Sequence, residues 1–106
     1  MKLWLDDVRT APDGWHWVNT AADAIACLAA GQVTQASLDY DVLWSDDQQE
    51  NWEDRQTGYA VVAWMAANGV WPVDGVAVHS SNVAGAERMR LVINSHYGQS
   101  ERRASA

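Results

Sequence analysis

Three apolar runs, each the length of a buried strand, end in short polar clusters. The clusters are Leu5-Asp6-Asp7-Val8-Arg9, Ser37-Leu38-Asp39-Tyr40-Asp41 and Val78-His79-Ser80-Ser81-Asn82. Lys2 to Leu5 reads as a strand closed by Asp6-Asp7, and Thr10-Ala11-Pro12-Asp13-Gly14 carries the Pro and Gly of a turn. Trp15 to Asn19 reads as a second strand, its side chains alternating as a half-buried strand would. Thr20, with Asp23 three residues on, resembles a capping box with Asp in place of Glu. The helix it opens runs from Ala21 to Ala30, with Ala22, Ile25 and Ala29 on one face and Ala26 alongside; Gly31 follows as its C′ residue.

Gln35 to Leu38 is a third strand, leading into Asp39. Leu43 to Gln56 is polar and strongly acidic, cannot bury a face, and reads as an insertion beside the strand ends or a solvated loop. Thr57-Gly58-Tyr59 opens a helix to about Ala67, with Val61, Val62, Trp64 and Met65 as its apolar positions and Asn68-Gly69 as its stop. Gly75 to Val78 is a fourth strand. A last helix covers about Ala84 to Ser95, with Met89, Val92 and Ile93 at helical spacing and Glu87, Arg88 and Arg90 towards solvent. The pattern predicts a small open parallel α/β sheet of about four strands with flanking helices. One domain spans 1–97, and 98–106 form a polar, disordered tail. In such a sheet the carboxyl ends of the strands gather along one edge, where ligands bind.

At 106 residues the chain suffices for a single core. Its formal net charge of -7 opposes binding of a long duplex, because that binding depends on Lys and Arg releasing counterions. A mononucleotide or a short RNA end remains compatible, since one pocket can be locally positive. The single cysteine, Cys27, excludes an internal disulfide and reads as a packing residue in a reducing, cytoplasmic compartment. No apolar run approaches a membrane span. The chain has seven Trp and no Phe. Trp4, Trp64 and Trp71 lie among apolar residues as core candidates. Trp44 and Trp52, in the acidic stretch, are candidates for base stacking or for packing that loop.

The strand-end clusters carry the chemistry. Asp6 and Asp7 are costly to place side by side without a cation, and Asp39 adds a third carboxylate. Hard oxygen ligands of this kind suit Mg²⁺ or Mn²⁺, completed by waters and a phosphate oxygen. Arg9 offers a planar fork of donors to phosphate. His79 can hold a phosphate or pass a proton to a leaving oxygen. Asp41, Ser80, Ser81 and Asn82 complete a ligand-binding set. Asn82 also suits the N-cap of the last helix, whose N-terminus is a ready anion site. No Walker A loop, zinc-spaced Cys/His set or Rossmann fingerprint occurs.

At these clusters the chain resembles the cyclic-phosphate-processing receiver-like domains, a small branch of the receiver (flavodoxin-like) fold. The resemblance runs from Leu3 to about Ile93. It rests on the Leu5-Asp6-Asp7-Val8-Arg9, Pro12-Asp13-Gly14, Ser37-Leu38-Asp39-Tyr40-Asp41, Thr57-Gly58-Tyr59 and His79-Ser80-Ser81-Asn82 segments in that order. It implies that Asp6 and Asp7 match the metal-side acids of a receiver, Asp39 its phosphoacceptor aspartate, and Ser80 its hydroxyl position. The family usually has His where this chain has Tyr40, and Pro where it has Val83. Receivers also place a lysine after a fifth strand, whereas the sole lysine here is Lys2. Signalling by phosphotransfer is thereby disfavoured, and a trimmed receiver-like sheet is expected.

The function expected from these readings is metal-assisted hydrolysis of a cyclic phosphate on a nucleotide or RNA end. Mg²⁺ held by Asp6, Asp7 and Asp39 would polarise the phosphorus, Arg9 would bind its charge, and His79 would protonate the leaving ribose oxygen as water attacks. Two alternatives stand beside it. One is a nucleotide- or phosphate-binding module without catalysis. The other is an acidic partner-docking protein, such as a phage or mobile-element inhibitor, acting through the Leu43 to Gln56 stretch.

Overall fold

The computed structural model describes residues 1–42 and 58–105, with side chains as far as Gly98. Trp44, Trp52 and the acidic Leu43 to Gln56 stretch lie outside the described residues. The elements are β1 (Lys2–Leu5), β2 (Trp15–Val18), α1 (Ala21–Ala29), β3 (Gln35–Leu38), α2 (Gly58–Asn68), β4 (Val76–Val78) and α3 (Val83–Ser105). The strands form one four-stranded sheet in the order β2-β1-β3-β4, with every pairing parallel. This is the small receiver-like open sheet expected from the sequence.

Register divides the side chains between two faces. Leu3 and Leu5 stand opposite Ala36 and Leu38 on β3 and opposite His16 and Val18 on β2. Most of this face is buried, and it shares one core with Ala21, Ala24 and Leu28 of α1, Val61, Val62 and Met65 of α2, and Met89 and Ile93 of α3. That α1 and α2 lie here follows from handedness, and α3 joins them by packing on α2 and β4. The steps β2 to β3 and β3 to β4 cross the sheet in one direction, so right-handed crossovers set α1 and α2 on one face. The step from β1 to β2 runs the other way, and a helix there would cover the opposite face. The chain makes that step without a helix: the Trp15 N–H donates to the Pro12 carbonyl at 3.1 Å, and Gly14 takes the φ of +86° that the turn needs. The second face, with Lys2, Trp4, Trp15, Trp17, Gln35, Ser37 and Ala77, therefore has no helix over it among the described residues.

Several element-level expectations are corrected. The buried stripe of α1 is Ala21, Ala24 and Leu28; Ala26 and Ala29 are exposed, and Ala22 and Ile25 only partly covered. An alanine-rich helix carries little contrast between its faces, so side-chain type did not fix its phase. Its cap is as expected, with the Asp23 N–H donating to Thr20 Oγ1 at 3.2 Å. Along β2 only Val18 is buried, because this strand is an edge and one of its faces is uncovered. Trp64 and Trp71 pack against the helix-side core as expected, whereas Trp4 lies on the other face of the sheet. Cys27 is half-buried against the core, and burial raises its thiol pKa, in keeping with a packing role. The last helix begins at Val83 and continues past Ser95 to Ser105. Among the described residues no helix is long and apolar enough to cross a membrane.

Candidate metal and phosphate site

The backbone ladder continues one residue past each strand. Asp6 N–H donates to the Val18 carbonyl (3.2 Å), Asp39 N–H to Leu5 (2.9 Å) and His79 N–H to Leu38 (3.0 Å). Strand alternation then places Asp6, Asp39 and His79 on the same side as Trp4, Ser37 and Ala77. The three clusters picked out in the sequence therefore meet at one sheet edge. One carboxylate oxygen each from Asp6, Asp7 and Asp39 lies within 4.8 Å of the others.

Each carboxylate is held differently. Asp6 is 1% exposed, and its Oδ1 accepts from the Val8 and Arg9 N–H groups, both at 2.8 Å. These bonds fold the Asp7-Val8-Arg9 segment back over the end of β1. Asp39 is also buried, and its Oδ1 accepts from the Tyr40 N–H at 2.8 Å. Asp7 is more open, yet its pKa is raised, first by loss of hydration at the strand end and further by the charges of Asp39, Asp6 and Asp41; hydrogen bonding from backbone pulls it partly back. The Arg9 guanidinium lies 3.7 Å from Asp6 Oδ2 and is half exposed. Three carboxylates facing one such cation leave excess negative charge on hard oxygen donors, and that set fits Mg²⁺ or Mn²⁺.

His79 joins the cluster through Asp6 and through two residues that the sequence reading did not place in the site, Ser37 and Trp4. Its Nε2 is 3.0 Å from Asp6 Oδ2, and its Nδ1 is 2.7 Å from Ser37 Oγ. The ring lies flat on Trp4, with centroids 3.8 Å apart and planes 6° from parallel. Ser37 makes this possible. It stands between Trp4 and Ala77 in register, and its small side chain lets the imidazole lie across β3 towards β1. An ionised Asp6 can only accept, so Nε2 carries the proton and the Ser37 hydroxyl donates to Nδ1. Burial lowers the His79 pKa, with Arg9 adding to the effect, while the Asp6 hydrogen bond and the Asp6 and Asp39 charges oppose it. Both ring nitrogens are thus committed inside the protein. In this geometry the ring holds the outer oxygen of Asp6.

The remaining candidates divide. Arg9 reaches across the sheet end and donates to the His79 carbonyl at 2.7 Å. Asn82 caps α3, its Oδ1 accepting from the Gly85 N–H at 3.0 Å, and its Nδ2 lies 3.5 Å from Asp41 Oδ1. Ser80 Oγ accepts from the Asn82 N–H at 3.1 Å and so shapes the turn into α3. Ser81 is exposed. Val83 occupies the first helical position, where proline is readily accommodated.

Two glycines allow the close approaches. A Cβ on Gly58 would lie 1.9 Å from the Asp39 carbonyl oxygen, so α2 can start against the site strand only without a side chain. A Cβ on Gly85 would come within 2.5 Å of the Tyr40 ring, which packs over the first turn of α3. Trp4, Ser37 and Trp17, whose Nε1 donates to the Asp6 carbonyl at 2.8 Å, are the site residues that sequence reasoning missed. Trp4 sits inside an unbroken apolar run and Ser37 inside a short strand. Only the register between strands reveals that they face His79.

No curated protein and no solved structure gives a match to the chain. A family model does: residues 1–95 match the cyclic-phosphate processing receiver domain. The match takes in all four strands, the carboxylate cluster and His79. The chain belongs to the cyclic-phosphate processing receiver domain family.

Proposed function

We propose that the domain uses a divalent cation at Asp6, Asp7 and Asp39 to hydrolyse a cyclic phosphate on a nucleotide or RNA end. The supporting observation is the convergence of these carboxylates at the carboxyl edge of a parallel sheet, with the Arg9 guanidinium beside them. When bound, the cation supplies Lewis-acid polarisation of a phosphoryl oxygen. Asp6 and Asp39 are fixed by backbone N–H groups, and His79, clamped between Trp4 and Ser37, holds the outer oxygen of Asp6. Arg9 offers donors to the phosphate at the exposed side of the cluster.

Incubation with a panel of cyclic nucleotides and cyclic-phosphate RNA ends, with Mg²⁺ and with chelator, tests this reading when the products are identified. Ring-opened monoester that forms with Mg²⁺ and is absent with chelator is expected. Unchanged substrate in every arm would remove the hydrolytic reading.

One observation favours a second reading, a phosphate-binding module without turnover. His79 has both ring nitrogens engaged, and the position where the family usually carries His holds Tyr40, whose ring is packed on Gly85. Cyclic nucleotide that raises the melting temperature but is recovered intact would support this reading.

A further inference from the structure

Parallel sheets are ordinarily covered on both faces, and among the described residues this one has helices on one. The other face is aromatic. Trp17 and Trp4 are register partners, as are Trp15 and Lys2, so the indoles form a patch across β2 and β1. Trp15 meets Trp4 edge-on at 6.0 Å, and Trp17 remains 40% exposed. The N–H groups of two indoles are already engaged within the chain: Trp4 Nε1 donates to the Arg9 carbonyl at 3.1 Å and Trp17 Nε1 to the Asp6 carbonyl.

This patch is continuous with the candidate site, since Trp4 stacks on His79 and His79 contacts Asp6. Within a molecule of net charge -7, the patch is bracketed by Lys2, whose ammonium lies 5.7 Å from the Trp15 ring centroid, and by Arg9 at the carboxylate end. The strand between them spans about 13 Å, room for a few stacked nucleotides.

From this geometry we infer that the sheet face carrying Trp4, Trp15 and Trp17, which has no helix over it among the described residues, is a stacking platform for the bases of a single-stranded RNA end. The inference deepens the proposed function, on which it rests, by selecting an oligonucleotide over a free mononucleotide. The terminal phosphate lies at Arg9 and the carboxylates, and the preceding bases lie on Trp17 and Trp15 towards Lys2. Aromatic stacking is tolerant of sequence, and with only Lys2 and Arg9 at the patch to release counterions the salt dependence is expected to be shallow.

The test uses three probes with the full chain: cyclic adenylate with its phosphate closed on the ribose, a labelled short oligoadenylate ending in the same cyclic phosphate, and that oligoadenylate ending in a hydroxyl. Fluorescence anisotropy of the labelled RNAs and calorimetry of the mononucleotide give the affinities. The oligonucleotide is expected to bind tighter than the mononucleotide. Trp15→Ala should weaken both RNAs about ten-fold and leave mononucleotide affinity unchanged, and Lys2→Gln should act in the same direction. If neither cyclic-phosphate probe gains over the hydroxyl end while Trp15-dependent RNA binding persists, the platform stands and the cyclic-phosphate reading fails. Equal affinities for mononucleotide and oligonucleotide, insensitive to Trp15→Ala and Lys2→Gln, would overturn the platform alone. Sedimentation showing a dimer that Trp15→Ala dissolves would also overturn it, assigning the face to a second copy of the chain.

Discussion

Gly58 and Gly85 are the positions where one methyl group probes the site most severely. At Gly85 the obstacle is the Tyr40 ring, and at Gly58 it is the Asp39 backbone, which cannot rotate away. Gly85→Ala is expected to cost ~1–3 kcal/mol, the usual range for overpacking, and Gly58→Ala more. Urea unfolding measures both, and Tyr40→Ala should recover much of the Gly85→Ala loss because it removes the opposing ring. At the same scale, the bonds around His79 dictate one tautomer. Imidazole nitrogen spectra near neutral pH should show a neutral ring with the proton on Nε2, facing Asp6. An imidazolium, or a proton on Nδ1, would contradict the assignment. His79→Ala should lower Mg²⁺ affinity about ten-fold or more, as loss of a group orienting a metal ligand does, whereas a mere proton donor would leave it unchanged. These contacts were only half legible in the sequence. Asp6, Asp7, Asp39 and His79 declared themselves as polar residues ending apolar runs. Trp4 and Ser37 did not, because their role depends on which strand lies beside which.

Capping and packing of single elements yield measurable consequences of ordinary size. Thr20→Ala removes the acceptor for the Asp23 N–H and should cost ~1 kcal/mol in chemical denaturation. Tyr97 ties α3 to the loop before β4, its hydroxyl donating to the Pro72 carbonyl at 2.5 Å, and burial raises its pKa above 10.0. The protonated phenol is thus favoured by folding. Its contribution is complete below the unfolded pKa of about 10 and is lost as pH rises from there through the folded value. Unfolding free energy should therefore fall with alkaline pH in the parent and fall less in Tyr97→Phe. An equal slope in both would show that Tyr97 is not the group responsible. Strand positions were readable because apolar runs bounded by turn residues have few other interpretations. The buried stripe of α1 was not, since Ala21, Ala24, Ala26 and Ala29 are chemically identical and only the packing against β1 and α2 chooses among them.

Across the whole molecule, topology explains both the site and the uncovered face. Two crossovers in one direction put α1 and α2 on one side, and the β1 to β2 step, made without a helix, leaves the Trp4 side without a helix among the described residues. The sequence held the relevant signal, because Pro12-Asp13-Gly14 stands where a first helix would otherwise follow Asp6-Asp7. What it could not convey was the consequence for a whole sheet face, which follows only once strand order is known. Among the described residues no fifth strand follows β4, and Lys2 begins β1 at the end opposite the carboxylates. The phosphotransfer geometry of a receiver with its conserved lysine is therefore not reproduced by these elements, while the acidic edge is retained. At that edge Asp6, Asp7 and Asp39 bring three carboxylates together, and their proposed role is to hold a divalent cation in the service of a phosphate. Calorimetric titration of Mg²⁺ into the parent chain and into Asp39→Asn tests this most directly. Saturable binding in the parent, weakened about ten-fold or more in the variant, is the expected result. No binding to the parent at millimolar Mg²⁺, or equal binding to both chains, would contradict it.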